Sequence, residues 1–164
     1  MRMPVIPAML ALLFLSPGSG LGAGVAEGPG DCFATPSLLW ESQQTPLEGA
    51  ALRFARAWVD RDFRGLESQL QPGGIRLHIQ GESFPSVDLE RAVGAIRGFL
   101  GRYTGGEAEL MRVSESPGAV PMGFADFQWR TQVAGSGEAV IFTLFVAIAM
   151  EDGAWTVTEI RVLP

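Results

Sequence analysis

Ala139 to Met150 (AVIFTLFVAIAM) is a run of twelve residues with one polar side chain, Thr143. Twelve residues are too few to cross a bilayer as a helix, which takes about 20. Val140, Ile141, Phe142, Phe145, Val146 and Ile148 are β-branched or aromatic, and glycine-containing turns bound the run on both sides. The run therefore reads as a strand of roughly 40 Å at about 3.4 Å per residue. Both alternations along it are apolar, with Ile141, Thr143, Phe145 and Ala147 on one face and Val140, Phe142, Leu144, Val146 and Ile148 on the other. A strand of this kind is expected to be covered on both sides, and the remaining chain must provide the covers.

The segment after Gly135-Ser136-Gly137 is thus the middle of a meander. Gly123 to Val133 precedes the turn, with Phe127, Trp129, Thr131 and Val133 on one side and Asp126, Gln128, Arg130 and Gln132 on the other. Glu151-Asp152-Gly153 then turns the chain into a last strand, Ala154 to Leu163. Glu107 to Ser114 is a further strand candidate, followed by an irregular stretch around Pro117-Gly118 and Pro121.

Upstream the period changes to that of helices. Thr45-Pro46-Leu47-Glu48 carries an N-cap, a proline at the first helical position and an acid at the third. Leu47, Ala51, Phe54, Ala55 and Trp58 follow on one helical face. A shorter helix from Phe63 to Leu70 buries Phe63, Leu66 and Leu70, and Gln71-Pro72-Gly73-Gly74 stops it. Ile75 to Gln80 alternates as a strand with Ile75, Leu77 and Ile79 inward. Ser86 is the expected N-cap of a third helix, whose stripe is Leu89, Val93, Ile96, Phe99 and Leu100 and which Gly101 to Gly106 ends. Gly94 and Gly98 inside it each cost about 1 kcal/mol relative to Ala, so close backbone packing against the sheet is expected there.

One folded domain is the expectation for 164 residues. Residues 1–26 read as an export signal: Arg2, the apolar run Val5 to Leu15, the break at Ser16-Pro17-Gly18, then small residues up to Ala26. Cleavage after Ala26 fits the small-residue rule, Gly20 with Gly22 offers an earlier site, and an uncleaved anchor is the competing reading. Residues 27–44 read as a flexible tether and 45–164 as the domain. The expected location is periplasmic or secreted, with no transmembrane span once the signal is removed. Cys32, the one cysteine, has no internal disulfide partner. Pro29-Gly30-Asp31 before it is a poor lipoprotein signal, so an inert thiol is expected, with an envelope protein tethered through Cys32 as an outlying reading.

All 12 basic residues are arginine and the net charge is −6. No predicted face concentrates them, which argues against nucleic acid as a partner.

Helix, short helix, strand, long helix and a curved antiparallel meander is the element order of the nuclear transport factor 2-like cone. The chain resembles that superfamily, which holds ketosteroid isomerase, limonene epoxide hydrolase, polyketide cyclases and many non-catalytic modules. More narrowly it is similar to exported bacterial members of unknown function. The carrying residues are the Phe54-to-Leu70 helical pair, IRLHIQG at 75–81, Ser86 to Leu100 ending in GFL, and Trp155 to Ile160 (WTVTEI). The fold class the resemblance implies is α+β, amino-terminal helices on a curved antiparallel sheet of four or more strands.

In the superfamily's enzymes the cone interior holds the reacting groups, and ketosteroid isomerase-type chemistry needs an Asp base facing a Tyr and a protonated acid. The residues that alternation turns inward here (Ile75, Leu77, Ile79, Phe127, Trp129, Thr131, Val133) include no proton carrier. Asp126, Gln128 and Arg130 would line the cone only if the alternation were inverted. His78, the one histidine, reads as an exposed strand residue, and Tyr103, the one tyrosine, as a cap of the third helix near the mouth of the cone. No catalytic residue, metal site or cofactor is expected. Phe54, Trp58, Phe99, Phe127 and Trp129 read as core; in a hollow cone Trp58, Phe99, Phe127 and Trp129 would line an apolar pocket. Two functions compete: a non-catalytic module that binds an apolar small ligand or a protein and forms a homodimer through its sheet face, and an isomerase or hydrolase acting on an apolar molecule.

Overall fold

The computed structural model describes residues 44–164. The expected export signal, the expected tether as far as residue 43, and Cys32 lie outside the described residues.

Helix α1 runs Pro46–Asp60. Thr45 caps it: its side chain accepts a hydrogen bond from the Glu48 N–H at 3.1 Å, and Pro46 opens the helix where no N–H is needed. Leu47, Ala51, Phe54, Ala55 and Trp58 are all buried, as their spacing requires. The chain leaves α1 through Arg61 in the left-handed conformation and enters α2, Phe63–Gln69, capped by Asp62.

Strand β1 (Ile75–Ile79) alternates buried and accessible as its sequence does. The next element departs from expectation. Glu82–Val87 forms β2, an antiparallel partner of β1 joined by a turn at Gln80 and Gly81, both at positive φ. Its proline hides it from a propensity reading. Pro85 is tolerated because β2 is an edge strand and because the register slips between Ile75 and Leu77, opposite the proline. Since the ladder takes in Ser86, the N-cap of α3 moves to Asp88, whose carboxylate accepts from the Arg91 N–H at 2.9 Å.

Helix α3 is Leu89–Leu100. Gly94 and Gly98 lie on its exposed side, and a Cβ at either would meet nothing within 4 Å. The expected close packing is absent at both; the sheet receives Val93, Ile96, Phe99 and Leu100 from the opposite face. Gly101, not Tyr103, caps this helix, and β3 begins at Tyr103 and runs to Ser116. Gly105 and Gly106 do not break that strand. They take positive φ and form a bulge between the pairs Thr104–Gln132 and Glu107–Arg130.

Strands β4 (Met122–Val133), β5 (Ala139–Glu151) and β6 (Ala154–Leu163) form the meander, with β5 between its neighbours. The six-stranded order is β2-β1-β6-β5-β4-β3, antiparallel throughout except where β1 runs parallel to β6. Among the described residues all three helices pack on one face of the sheet and none on the other. The expectation that both faces of β5 are covered is therefore not met among the described residues: Leu144, Val146 and Ile148 are buried, whereas Ile141 is 54% exposed and Phe145 half-buried.

Candidate functional site

An aromatic cluster fills the hollow side of the sheet. Trp58 of α1 meets Trp129 of β4 edge to face at 5.8 Å and 89°. Phe54 lies 5.9 Å from Trp58, and Phe99 of α3 lies 6.1 Å from Trp58 and 5.8 Å from Trp129. Trp58, Trp129, Phe99 and Phe127 are each 0–1% exposed. Trp58 and Trp129 thus serve as packing at the closed end, and their indole Nε1 atoms are buried without a hydrogen-bond partner. Tyr103 and Phe142 extend the cluster outward, Tyr103 at 5.1 Å from Phe99 and 5.2 Å from Phe142.

Phe99 is the one of the four expected lining residues that reaches an apolar pocket at the mouth of the cone. This pocket, of about 430 Å³, is walled by Phe99, Phe142, Val162, Leu163 and Pro164, with Gln80 and Gly81 of the β1–β2 turn at its edge. Its size lies within the range of small-ligand sites. Phe127 borders a groove on the opposite, outer face instead, together with Met111, Asp126, Gln128, Thr143, Phe145, Arg161 and Leu163. Phe142 and the Gln80–Gly81 turn escape a sequence reading for different reasons. Alternation groups Phe142 with Leu144 and Val146, but both faces of this strand are apolar, and which one is inward, like the nearness of Phe142 to Phe99, is a tertiary fact. The turn exists because β2 does.

The remaining candidates are dispersed. Asp126, Gln128 and Arg130 face outward, as the uninverted alternation requires, and are tied down there. Arg112 pairs with Asp126 at 2.7 Å, Arg130 pairs with Glu109 at 3.2 Å, and Arg130 donates to Gln128. His78 sits on β1 with its Nε2 3.2 Å from the Ser83 hydroxyl across the hairpin, and its register neighbour on β6 is Arg161. In a serine triad a carboxylate orients the histidine, whereas the register neighbour of His78 on β6 is Arg161. Among the described residues no three His, Cys, Asp or Glu side chains converge as metal ligands. The buried polar residues among them are Thr131, whose hydroxyl donates to the carbonyls of Thr104 or Gly105, and Glu159, on the outer face.

Three helices on the hollow side of a bent sheet that ends in a meander define the nuclear transport factor 2-like cone, and this chain has that α+β fold. Solved structures of the same fold include a DUF4783 family protein from Bacteroides uniformis, 16% identical, with a TM-score of 0.57 over 68% of this chain and 93% of that one. A nuclear transport factor 2-like family member from Streptomyces avermitilis is 13% identical with a TM-score of 0.58, over 74% of this chain and 96% of that one. An LEH-like epoxide hydrolase of M. tuberculosis is 18% identical with a TM-score of 0.53, over 73% and 82%. At these identities the likeness establishes the fold alone. Neither protein-family models nor curated protein sequences give a match.

Proposed function

We propose that this protein is an exported, non-catalytic binding module that holds an apolar small ligand in the mouth of its cone and pairs with a second copy through its outer sheet face. The observation that carries the binding reading is the composition of the mouth pocket: three carbon side chains (Phe99, Phe142, Val162) form its base, and no carboxylate, histidine or cysteine side chain lines it. Burying apolar surface is what such a wall does well, at roughly 25 cal/mol per Å². Isothermal titration with aliphatic and ring-containing small molecules tests it. Binding in the micromolar range that Phe142→Ala weakens about tenfold is the expected result; no binding to any such probe overturns the reading.

Export is supported by the order of charge, apolar run and small residues in 1–26. Amino-terminal sequencing of the protein recovered from an expressing bacterium should begin at Glu27 if cleavage follows Ala26. Intact Met1 on cytoplasmic protein would refute export.

Pairing is supported by the outer face of the sheet, where Ile141, Met111 and Leu163 are 54%, 59% and 49% exposed beside the stacked rings of Phe124 and Phe145, 5.6 Å apart. A second copy is the partner such a face suits, because it carries charges of both signs beside the apolar strip. Sedimentation at micromolar concentration should give a dimer, and a monomer there would refute it.

A second reading, an isomerase or hydrolase acting on an apolar molecule, draws support from the M. tuberculosis epoxide hydrolase that shares the fold. It needs at least two acids, or an acid and Tyr103, to converge inside the cavity. Turnover of an apolar epoxide that disappears in Tyr103→Phe would favour it over the binding reading.

A further inference from the structure

We propose that two copies pair face to face about a two-fold axis lying across the strands at the row of Gln128, Thr143 and Leu163, so that Asp126 of each copy meets Arg130 of the other. The inference rests on the pairing reading above and adds the geometry of the partner. Ladder register arranges the outward side chains of β3 to β6 in rows. The middle row is Glu109, Gln128, Thr143 and Leu163. Arg112, Asp126, Phe145 and Arg161 flank it on one side, and Glu107, Arg130 and Ile141 on the other.

Rotation about the middle row exchanges the two flanking rows and sets each strand over its own copy. Asp126 then meets Arg130, Arg112 meets Glu107, and Phe145 meets Ile141, each pair occurring twice. Opposite charges face one another, which like-charge repulsion would otherwise forbid. Asp126 and Arg130 have capacity for a further partner. Arg112 reaches Asp126 through a single oxygen, Oδ2, at 2.7 and 3.0 Å, and Arg130 uses a single nitrogen, Nη2, for Glu109 and Gln128. Ile141, 54% exposed, enters the partner's groove of about 460 Å³ between Met111, Phe145 and Leu163. Thr143 lies on the axis, where a hydroxyl can both donate to and accept from its own copy. Glu109 also faces its copy, but at the edge strand, where its side chain is 54% exposed and Arg130 pairs with it at 3.2 Å. An axis running along β5 is the competing arrangement. It would put Asp126 against Arg161, but Ile141 against Ile141 and the Gln128 amide against Leu163, leaving both grooves unfilled.

Sedimentation of Asp126→Arg and Arg130→Asp, alone and mixed, tests the arrangement. Each variant alone brings like charges together and should associate at least about tenfold more weakly than the unaltered protein. An equimolar mixture should recover the dimer, because each substituted charge then faces an opposite one. Mixing leaves the pairs within each chain unchanged, so recovery reports the contact between chains and shows that both variants fold. Arg130→Asp that dimerises fully alone, or a mixture that stays dissociated, overturns the inference and leaves the pairing of the unaltered protein standing. A second measurement uses single thiols in a Cys32→Ser background. A short bis-maleimide should join Thr143→Cys to its copy but not Ile141→Cys, since Ile141 stands about 7 Å along the strand from the axis and its copy as far on the other side. Joining of both in equal yield overturns the inference in favour of the axis along β5. A monomeric unaltered protein overturns the pairing reading as well and leaves the groove to a small ligand or a different protein.

Discussion

Glu159 shows how a single buried charge is made tolerable. It is 4% exposed on the outer face of β6, and both Arg76 and Arg161 pair with it, Arg76 at 3.2 Å. The parallel register of β1 on β6 sets Arg76 opposite Glu159. Either arginine alone is half-exposed, and an accessible pair is worth about 1 kcal/mol or less. Removing both leaves a buried carboxylate without a partner, which costs about 3 kcal/mol. Arg76→Gln and Arg161→Gln should therefore each lower stability in urea by less than about 1 kcal/mol, and the double variant by clearly more than their sum. Strict additivity would show that Glu159 is solvated by something else. Gly106 presents the reverse case, a residue that cannot grow. Its φ is +136°, and an added Cβ would lie 2.6 Å from the Trp129 indole nitrogen and 3.2 Å from the Arg130 carbonyl. Gly106→Ala should destabilise by about 2 kcal/mol or more, measured in urea.

Among the elements, α3 tests the correction about its glycines. Gly94 and Gly98 are exposed helix-interior positions with open space where a methyl would go. Gly94→Ala and Gly98→Ala should each raise stability by about 0.5–1 kcal/mol, since alanine loses less backbone freedom on folding. Loss of stability in either variant would mean that close packing does occur there. For α1, Thr45→Ala removes the acceptor of the Glu48 N–H and should lower stability by about 1 kcal/mol, again in urea. Most element boundaries were legible because period and caps agreed: Thr45-Pro46 for α1, Gly135 to Gly137 and Asp152-Gly153 for the hairpins. The misses share one cause. Pro85 and the Gly105–Gly106 pair look like breaks in isolation, yet an edge position and a bulge absorb them.

At the scale of the whole domain, the described residues place helices on one side of a sheet that is apolar on both sides of β5. If a second copy covers the remaining side, stability depends on protein concentration. The thermal midpoint should rise with concentration and lose that dependence in Ile141→Glu, whose new charge would be buried in the interface. A midpoint independent of concentration in the unaltered protein would argue that the outer face stays in water. Alternation and helical period alone specified the inward set, from Leu47 and Trp58 to Leu77, Phe127 and Trp129, because side-chain direction follows from backbone geometry. They specified the order of the other elements too, β2 excepted, and the resemblance carried by that order implied the cone. Tertiary structure decided which buried aromatics are mere filling and which reach an opening: Trp58 and Trp129 close the interior, while Phe99 meets Phe142 at its mouth. Nothing local distinguishes those roles, since each residue is an inward aromatic on an amphipathic element and only the meeting of α3 with the ends of β5 and β6 leaves a space beside one of them.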